Sequence, residues 1–157
     1  MPGQPLISED LSELISILNS HQIEFMVVGA HALGQYTEPR FTSDLDLFLR
    51  KTEENMQRLA DALAEFGMPI DRESLKGMIE KDRAMIIIGA PPNRVDFLNF
   101  LTGLDFDDAY PRTEIRSIGS TKAPFISKQD LITAKRAVGR PKDLADLAAL
   151  METEDKK

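Results

Sequence analysis

The chain alternates between segments with apolar residues at helical spacing and short apolar runs that are typical of strands. After Ser8 and after Thr52, apolar residues recur three and four positions apart, which predicts a helix in each segment. Serine and threonine both commonly cap helix N-termini. Gly67 stands where the second of these helices, residues 53–66, should end. Two further helices are predicted at residues 72–80 and from Ser127 to Ala137.

A final helix is predicted to begin at Pro141, after the break at "VGRP". We expect its inward side to carry Leu144, Leu147, Ala148 and Met151. The acids Asp143 and Asp146 are expected to cap this helix and to form ion pairs within it.

Short apolar runs predict the strands. They are "IEFMVVG", "TSDLDLFL", "AMIIIG", "RVDFLNFL", "TEIRSIG" and "KAPFI", with "AMIIIG" expected to be buried. The segment "AHALGQY" predicts a short helix that opens directly at the end of the first strand. This order indicates an α+β (mixed α/β) fold, with a central mixed sheet flanked by helices and followed by C-terminal helices.

The length of 157 residues fits one domain, with a core at about 8–126 and a C-terminal helical segment at about 127–151. Without cysteines, disulfides and thiolate metal sites are excluded, and two histidines are too few for a structural zinc site. No signal peptide or apolar run of bilayer length is present, so we expect a cytoplasmic protein that does not enter a membrane. The net charge of −7 argues against an extended nucleic-acid surface.

Two acids interrupt the second strand, where Asp44 and Asp46 stand two residues apart. Residues at this spacing project from one face, about 6–7 Å apart at their bases. A third acid, Asp96, lies between the apolar residues Val95 and Phe97 of a later strand. If the two strands are neighbours, the three carboxylates converge, and hard cations such as Mg²⁺ prefer such oxygen ligands.

A plainer interpretation fits each acid alone, because acids that alternate with leucines are usual on a half-solvated strand. The preceding "VVGAHALGQY" strengthens the functional interpretation, since a helix that starts at Gly29 would direct backbone N–H groups outward. A phosphate cradle and metal ligands would then face each other.

With these motifs, the chain resembles the nucleotidyltransferase superfamily, which shares the DNA polymerase β-like fold. The corresponding elements are Gly29-Ala30, Asp44-Leu45-Asp46 and Asp96, and the ending "DLITAKRAVGRPKDLADLAAL" is similar to that of small nucleotidyltransferase-like proteins. Some relatives in that group are abortive-infection or toxin–antitoxin components. The resemblance covers roughly residues 20–150.

The resemblance implies that Asp44, Asp46 and Asp96 are both catalytic residues and ligands of two Mg²⁺ ions, with Mn²⁺ as an alternative. A nucleoside triphosphate such as ATP would donate its nucleoside monophosphate to a hydroxyl acceptor, and pyrophosphate would leave. Candidate phosphate-binding residues are Gly29, Ala30, His31, Arg40 and Lys135. Ala30 departs from the family pattern, because the serine hydroxyl often found there is missing.

Several alternatives stay open. His31 also fits a helix surface or a loop, and Arg40 fits a surface cation that pairs with nearby acids. The domain could bind nucleotides without catalysis, or act in a toxin–antitoxin pair through protein contacts. The acceptor is a small molecule, a protein or an RNA end, and a partner protein or a homodimer could complete the site.

Overall fold

The computed structural model describes residues 8–38 and 44–155. This part of the chain contains six strands and seven α-helices. The strands are β1 (Phe25–Val28), β2 (Asp44–Leu49), β3 (Met85–Ile88), β4 (Arg94–Leu98), β5 (Glu114–Ile118) and β6 (Thr121–Phe125). The helices are α1 (Glu9–Ser20), α2 (Gly29–Tyr36), α3 (Glu53–Phe66), α4 (Arg72–Glu80), α5 (Phe106–Ala109), α6 (Lys128–Val138) and α7 (Pro141–Asp155).

All six strands form one mixed sheet in the order β3-β4-β2-β1-β6-β5. The pairs β1–β2, β3–β4 and β5–β6 are antiparallel, whereas β2–β4 and β1–β6 are parallel. This is the predicted α+β fold with a central mixed sheet, helices around it and helices at the C-terminus. A dinucleotide-binding Rossmann domain, which has a mostly parallel sheet, does not fit this order.

Local capping chemistry explains where the long helices begin. The side chains of Ser8, Thr52 and Ser127 each accept a hydrogen bond from a backbone N–H three residues ahead. α3 ends at Gly67, which is left-handed with φ of +93°. These caps confirm the predicted helix starts, because a cap is specified by residues that are adjacent in the sequence.

The core lies between the sheet and two groups of helices. α1 contacts α3, and α3 contacts α4, whereas α2 contacts both α6 and α7. Alternate residues of the central strands are fully buried, and Leu45, Leu47 and Leu49 lie on one face of β2 as predicted. The opposite face of β2 carries Asp44 and Asp46.

Two sequence predictions about buried faces are wrong. β3 is an edge strand, and its Met85 and Ile87 are about half exposed, so "AMIIIG" is not a buried run. In α7, Leu144, Ala148 and Met151 are exposed, although Leu147 packs against the core.

α7 buries two acids at the positions that its apolar pattern did not indicate. On this helix, Asp143, Asp146 and Leu150 are buried. Basic partners on α6 and at the start of α7 make this arrangement possible. Within the described residues, no helix has both the length and the apolar character that crossing a membrane requires.

Candidate active site

Two aspartates from distant parts of the sequence lie side by side at the start of β2 and β4. The parallel register pairs Asp46 with Asp96 and Asp44 with Arg94. Paired residues on neighbouring strands project to the same face of a sheet, so Asp44, Asp46 and Asp96 share one face. The structure therefore brings together the three acids that the sequence singled out.

Arg94 is the cation of this cluster, and sequence reasoning missed it. Its Nε donates to Oδ1 of Asp96 at 2.8 Å, and its Nη2 donates to Oδ2 at 3.1 Å. The same Nε lies 4.0 Å from Oδ2 of Asp44. We call Asp44, Asp46, Asp96 and Arg94 the sheet cluster. The available signal was spacing, because a residue two positions before Asp96 on a strand shares its face.

Within the described residues, the sheet cluster places three carboxylates around one guanidinium, that of Arg94. The pKa of Asp46 is raised from 3.8 to about 6. Burial is the main cause, followed by the charge of Asp96, a hydrogen bond with Asp96 and the charge of Asp44, while Arg94 acts in the opposite direction. Asp46 therefore holds negative charge at neutral pH at a cost that a cation would reduce.

Gly29 packs against the carboxylate of Asp46. Val28, the last residue of β1, pairs with Asp46, and Gly29 follows at φ of +69° as the first residue of α2. A Cβ at position 29 would overlap Oδ2 of Asp46. Glycine is thus required both by the backbone conformation and by the close approach of the acid.

α2 begins beside the sheet cluster. Its N-cap residue, Val28, makes no side-chain capping hydrogen bond, and Ala30 stands in the first turn. The first backbone N–H groups of a helix have no partner within the helix and favour anions. The predicted cradle at Gly29 and Ala30 therefore lies next to the acids.

His31 is buried on α2 near the sheet cluster. It is 2% exposed, which excludes the surface position that the sequence left open. Burial lowers its pKa, and the negative charge of Asp44 partly offsets this effect. The imidazole is therefore neutral at pH 7. Arg40, another candidate phosphate-binding residue, lies outside the described residues.

Lys135 is held in a second charged cluster between α6 and α7. Its Nζ lies 3.5 Å from Oδ1 of Asp143 and 3.1 Å from Oδ2 of Asp146. Arg140 donates from Nε to Oδ2 of Asp143 at 2.6 Å. We call Lys135, Arg140, Asp143 and Asp146 the helix cluster, and its two cations match its two anions.

The pKa of Asp143 moves in the direction opposite to that of Asp46. Hydrogen bonds from Arg140 and the charge of Lys135 lower it to about 2, against the effect of burial. Asp143 caps the start of α7 as expected, because its Oδ2 accepts a hydrogen bond from the backbone N–H of Arg140 at 3.3 Å. The expectation that its ion pairs lie within the helix is wrong, since Arg140 precedes α7 and Lys135 lies on α6. The link to Lys135 on α6 was not anticipated. α2 contacts both α6 and α7, so the helix cluster supports the helix that borders the acids.

No metal site is preformed in the described part of the chain. There, no group of three or more His, Cys, Asp or Glu side chains is arranged so that it could hold a metal ion. At the sheet cluster, Arg94 donates hydrogen bonds to both oxygens of Asp96.

A cleft of about 760 Å³ lies at the far end of β2 from these acids. Its lining includes Arg50, Thr52 and Glu53, which follow the last residue of the strand. Acidic and basic side chains alternate there, and the cleft does not reach the sheet cluster.

At this site, paired acids on neighbouring strands of a mixed sheet lie beside a glycine that opens a helix. A family model described as "Nucleotidyl transferase of unknown function (DUF2204)" matches residues 7–157. The chain therefore belongs to this family, and the resemblance inferred from the sequence is confirmed. A search of the curated proteins gave no match to the chain.

Proposed function

We propose that this protein is a metal-dependent nucleotidyltransferase that transfers a nucleoside monophosphate from a nucleoside triphosphate to a hydroxyl. The observation that carries the proposal is the direct pairing of Asp46 with Asp96 across β2 and β4, beside Gly29. Family membership supports a nucleotidyltransferase-like role, while the metal, the nucleotide and the acceptor belong to the proposal.

The donor set of the sheet cluster fits Mg²⁺ in its chemistry. Asp44, Asp46 and Asp96 offer hard oxygen atoms, and burial together with the charges of Asp96 and Asp44 raises the pKa of Asp46 to about 6, although Arg94 acts in the opposite direction. For Asp96 to serve as a ligand, Arg94 would have to release one of its two oxygens. When bound, Mg²⁺ would neutralise the triphosphate and polarise the reacting phosphorus.

The protein's own residues would orient and activate the reactants. In the proposed reaction, the N–H groups at the start of α2 bind phosphate oxygens, and Gly29 allows their close approach. The acceptor oxygen bonds to the α-phosphorus while the bond from that phosphorus to the pyrophosphate oxygen breaks. The hydroxyl proton passes to the Asp46–Asp96 pair, and pyrophosphate leaves.

The test is transfer of label from each α-³²P nucleoside triphosphate, with Mg²⁺, to a panel of hydroxyl acceptors. We expect Asp46→Asn to reduce transfer by about 10²-fold or more, because it removes a charge aimed at the reacting centre. Asp61→Asn is the matched control, since Asp61 is an exposed aspartate on α3. Undiminished transfer by Asp46→Asn would refute the assignment.

A second candidate function is nucleotide binding without transfer. The observation in its favour is the hydrogen bonding of both Asp96 oxygens to Arg94, together with alanine at position 30. Calorimetry distinguishes the two functions when it is combined with the transfer assay. Mg²⁺-dependent nucleotide binding with no transfer to any acceptor would favour this second function.

A further inference from the structure

The edge strand β3 exposes two large apolar side chains. Met85 is 48% exposed and Ile87 is 49% exposed, whereas Ile86 and Ile88 between and after them are buried. Among the described strands, β3 pairs only with β4. An exposed apolar edge is a liability that proteins usually cover or interrupt with charge, so its retention calls for a reason.

The register places these side chains beside the candidate active site. Ile87 pairs with Asp96, and Met85 pairs with Leu98. Residues directly opposite on antiparallel strands project to the same face, with Cβ atoms about 5 Å apart. Met85, Ile87 and the half-buried Leu98, which we call the apolar shelf, therefore lie on the carboxylate face and begin at Asp96.

The sheet cluster thus has two unlike sides. On the β1 side, Asp46 meets Gly29 and the start of α2, where backbone N–H groups favour phosphate. On the β3 side, Asp96 meets the apolar shelf, which offers surface for apolar groups and no cation of its own. A triphosphate and a second, less polar molecule would therefore occupy opposite sides of the acids.

We propose that the apolar shelf binds the acceptor, and that this acceptor carries its hydroxyl on an uncharged aromatic or aliphatic group. This inference rests on the proposed function, because it assigns the triphosphate to the α2 side. An acceptor seated on Met85 and Ile87 brings its hydroxyl to Asp96, next to the reacting phosphorus.

Binding of a simple probe tests the shelf without any need for transfer. The probe is p-cresol, an uncharged phenol, titrated into the full ¹⁵N-labelled chain and followed by amide chemical shifts. We expect the shifts to centre on residues 85–88 and 94–98. Ile87→Ser should weaken binding by about tenfold, the effect of removing a few methylene groups from an apolar pocket.

Ile115→Ser is the matched control, because Ile115 is an equally apolar, 66% exposed residue on the opposite edge strand β5. It should leave p-cresol binding unchanged. The inference is overturned if p-cresol does not bind, if its shifts lie elsewhere, or if Ile87→Ser binds it as well as the wild type. It is also overturned if β3 is the contact of a dimer that Ile87→Ser dissociates in sedimentation.

The transfer assay separates this inference from the proposed function. With p-cresol as acceptor, Ile87→Ser should raise the acceptor KM by about tenfold and leave the KM of the nucleotide unchanged. If transfer is insensitive to Ile87→Ser, the inference about the apolar shelf is wrong and the proposed nucleotidyltransferase activity stands. If p-cresol binds at the shelf but no acceptor receives the label, the proposed nucleotidyltransferase activity is wrong and the shelf remains a binding surface.

Discussion

The sheet cluster and the helix cluster handle aspartate charge in opposite ways. The helix cluster opposes Asp143 and Asp146 with Lys135 and Arg140, and the pKa of Asp143 falls to about 2. In the sheet cluster, one guanidinium faces three carboxylates, and the pKa of Asp46 rises to about 6. Paired cations hold the pKa of Asp143 low, whereas burial and neighbouring carboxylates hold that of Asp46 high, and strongly perturbed pKa values are frequent at functional sites.

The largest expected effect comes from breaking the balance of the helix cluster. Lys135→Met removes the cation that contacts the buried Asp146. Among the described residues of the helix cluster, the exposed Arg140 then remains as the cation. The free energy of unfolding should fall by about 3–5 kcal/mol in urea denaturation, the usual cost of removing one partner of a buried ion pair. Arg136→Met, which removes an exposed cation one residue later, should change it by less than about 0.5 kcal/mol. Equal effects of the two variants would contradict the comparison.

Replacing an aspartate by asparagine should change the free energy of unfolding in opposite directions in the two clusters. Asp143→Asn should lower the free energy of unfolding by about 2 kcal/mol, because it removes the carboxylate whose pKa Arg140 and Lys135 lower to about 2. Asp46→Asn should raise it by about 2 kcal/mol at pH 7 without metal, since a shift of two pKa units is worth roughly that much after partial screening. Both are measured in urea with EDTA. Destabilisation by Asp46→Asn would show that its charge is already compensated.

The pH dependence should separate the two acids further. Asp46 binds its proton more tightly in the folded state, so its contribution is present below pH 3.8 and is lost as the pH rises through about 6. Asp143 binds its proton less tightly, so its contribution is present above pH 3.8 and is lost as the pH falls through about 2.

Comparison with Asp46→Asn isolates the first of these contributions from the effect of His31, whose lowered pKa acts in the opposite direction. The stability advantage of Asp46→Asn should grow by about 2 kcal/mol between pH 4 and 7 and level off above about pH 7. Urea denaturation at several pH values in EDTA measures it. An advantage that does not vary with pH would contradict the raised pKa.

The smallest expected effect is stabilisation by metal. At a Mg²⁺ concentration ten times the dissociation constant, the wild type should gain about 1.4 kcal/mol by mass action. Thermal denaturation should show this gain as a higher Tm in the wild type and in Arg136→Met, and no gain in Asp46→Asn. A gain that survives in Asp46→Asn would place the ion elsewhere.

Features set by neighbouring residues could be predicted from the sequence. The caps at Ser8, Thr52 and Ser127 follow from one side chain and a backbone N–H three residues away. The shared face of Asp44 and Asp46 follows from the two-residue period of a strand. The placement of Asp96 beside them needed the family pattern as well, because strand order cannot be derived from one strand alone.

Features that depend on distant partners were missed. The apolar pattern of α7 predicted Leu144 and Met151 inside, but Lys135 on another helix makes it favourable to bury Asp143 and Asp146 instead. "AMIIIG" has the composition of a central strand, yet its place at the sheet edge is decided by how the other five strands pair. Apolar periodicity contains neither kind of information.

The contact between Gly29 and Asp46 has an evolutionary consequence. Gly67 also has a positive φ, but a Cβ there would meet no other atom within 4 Å, so only the backbone opposes replacement. At position 29 the carboxylate opposes it too. Among descendants of this chain, we expect the two sites to drift together: lineages that abandon the acid at 46 should be the ones in which the glycine at 29 is also lost.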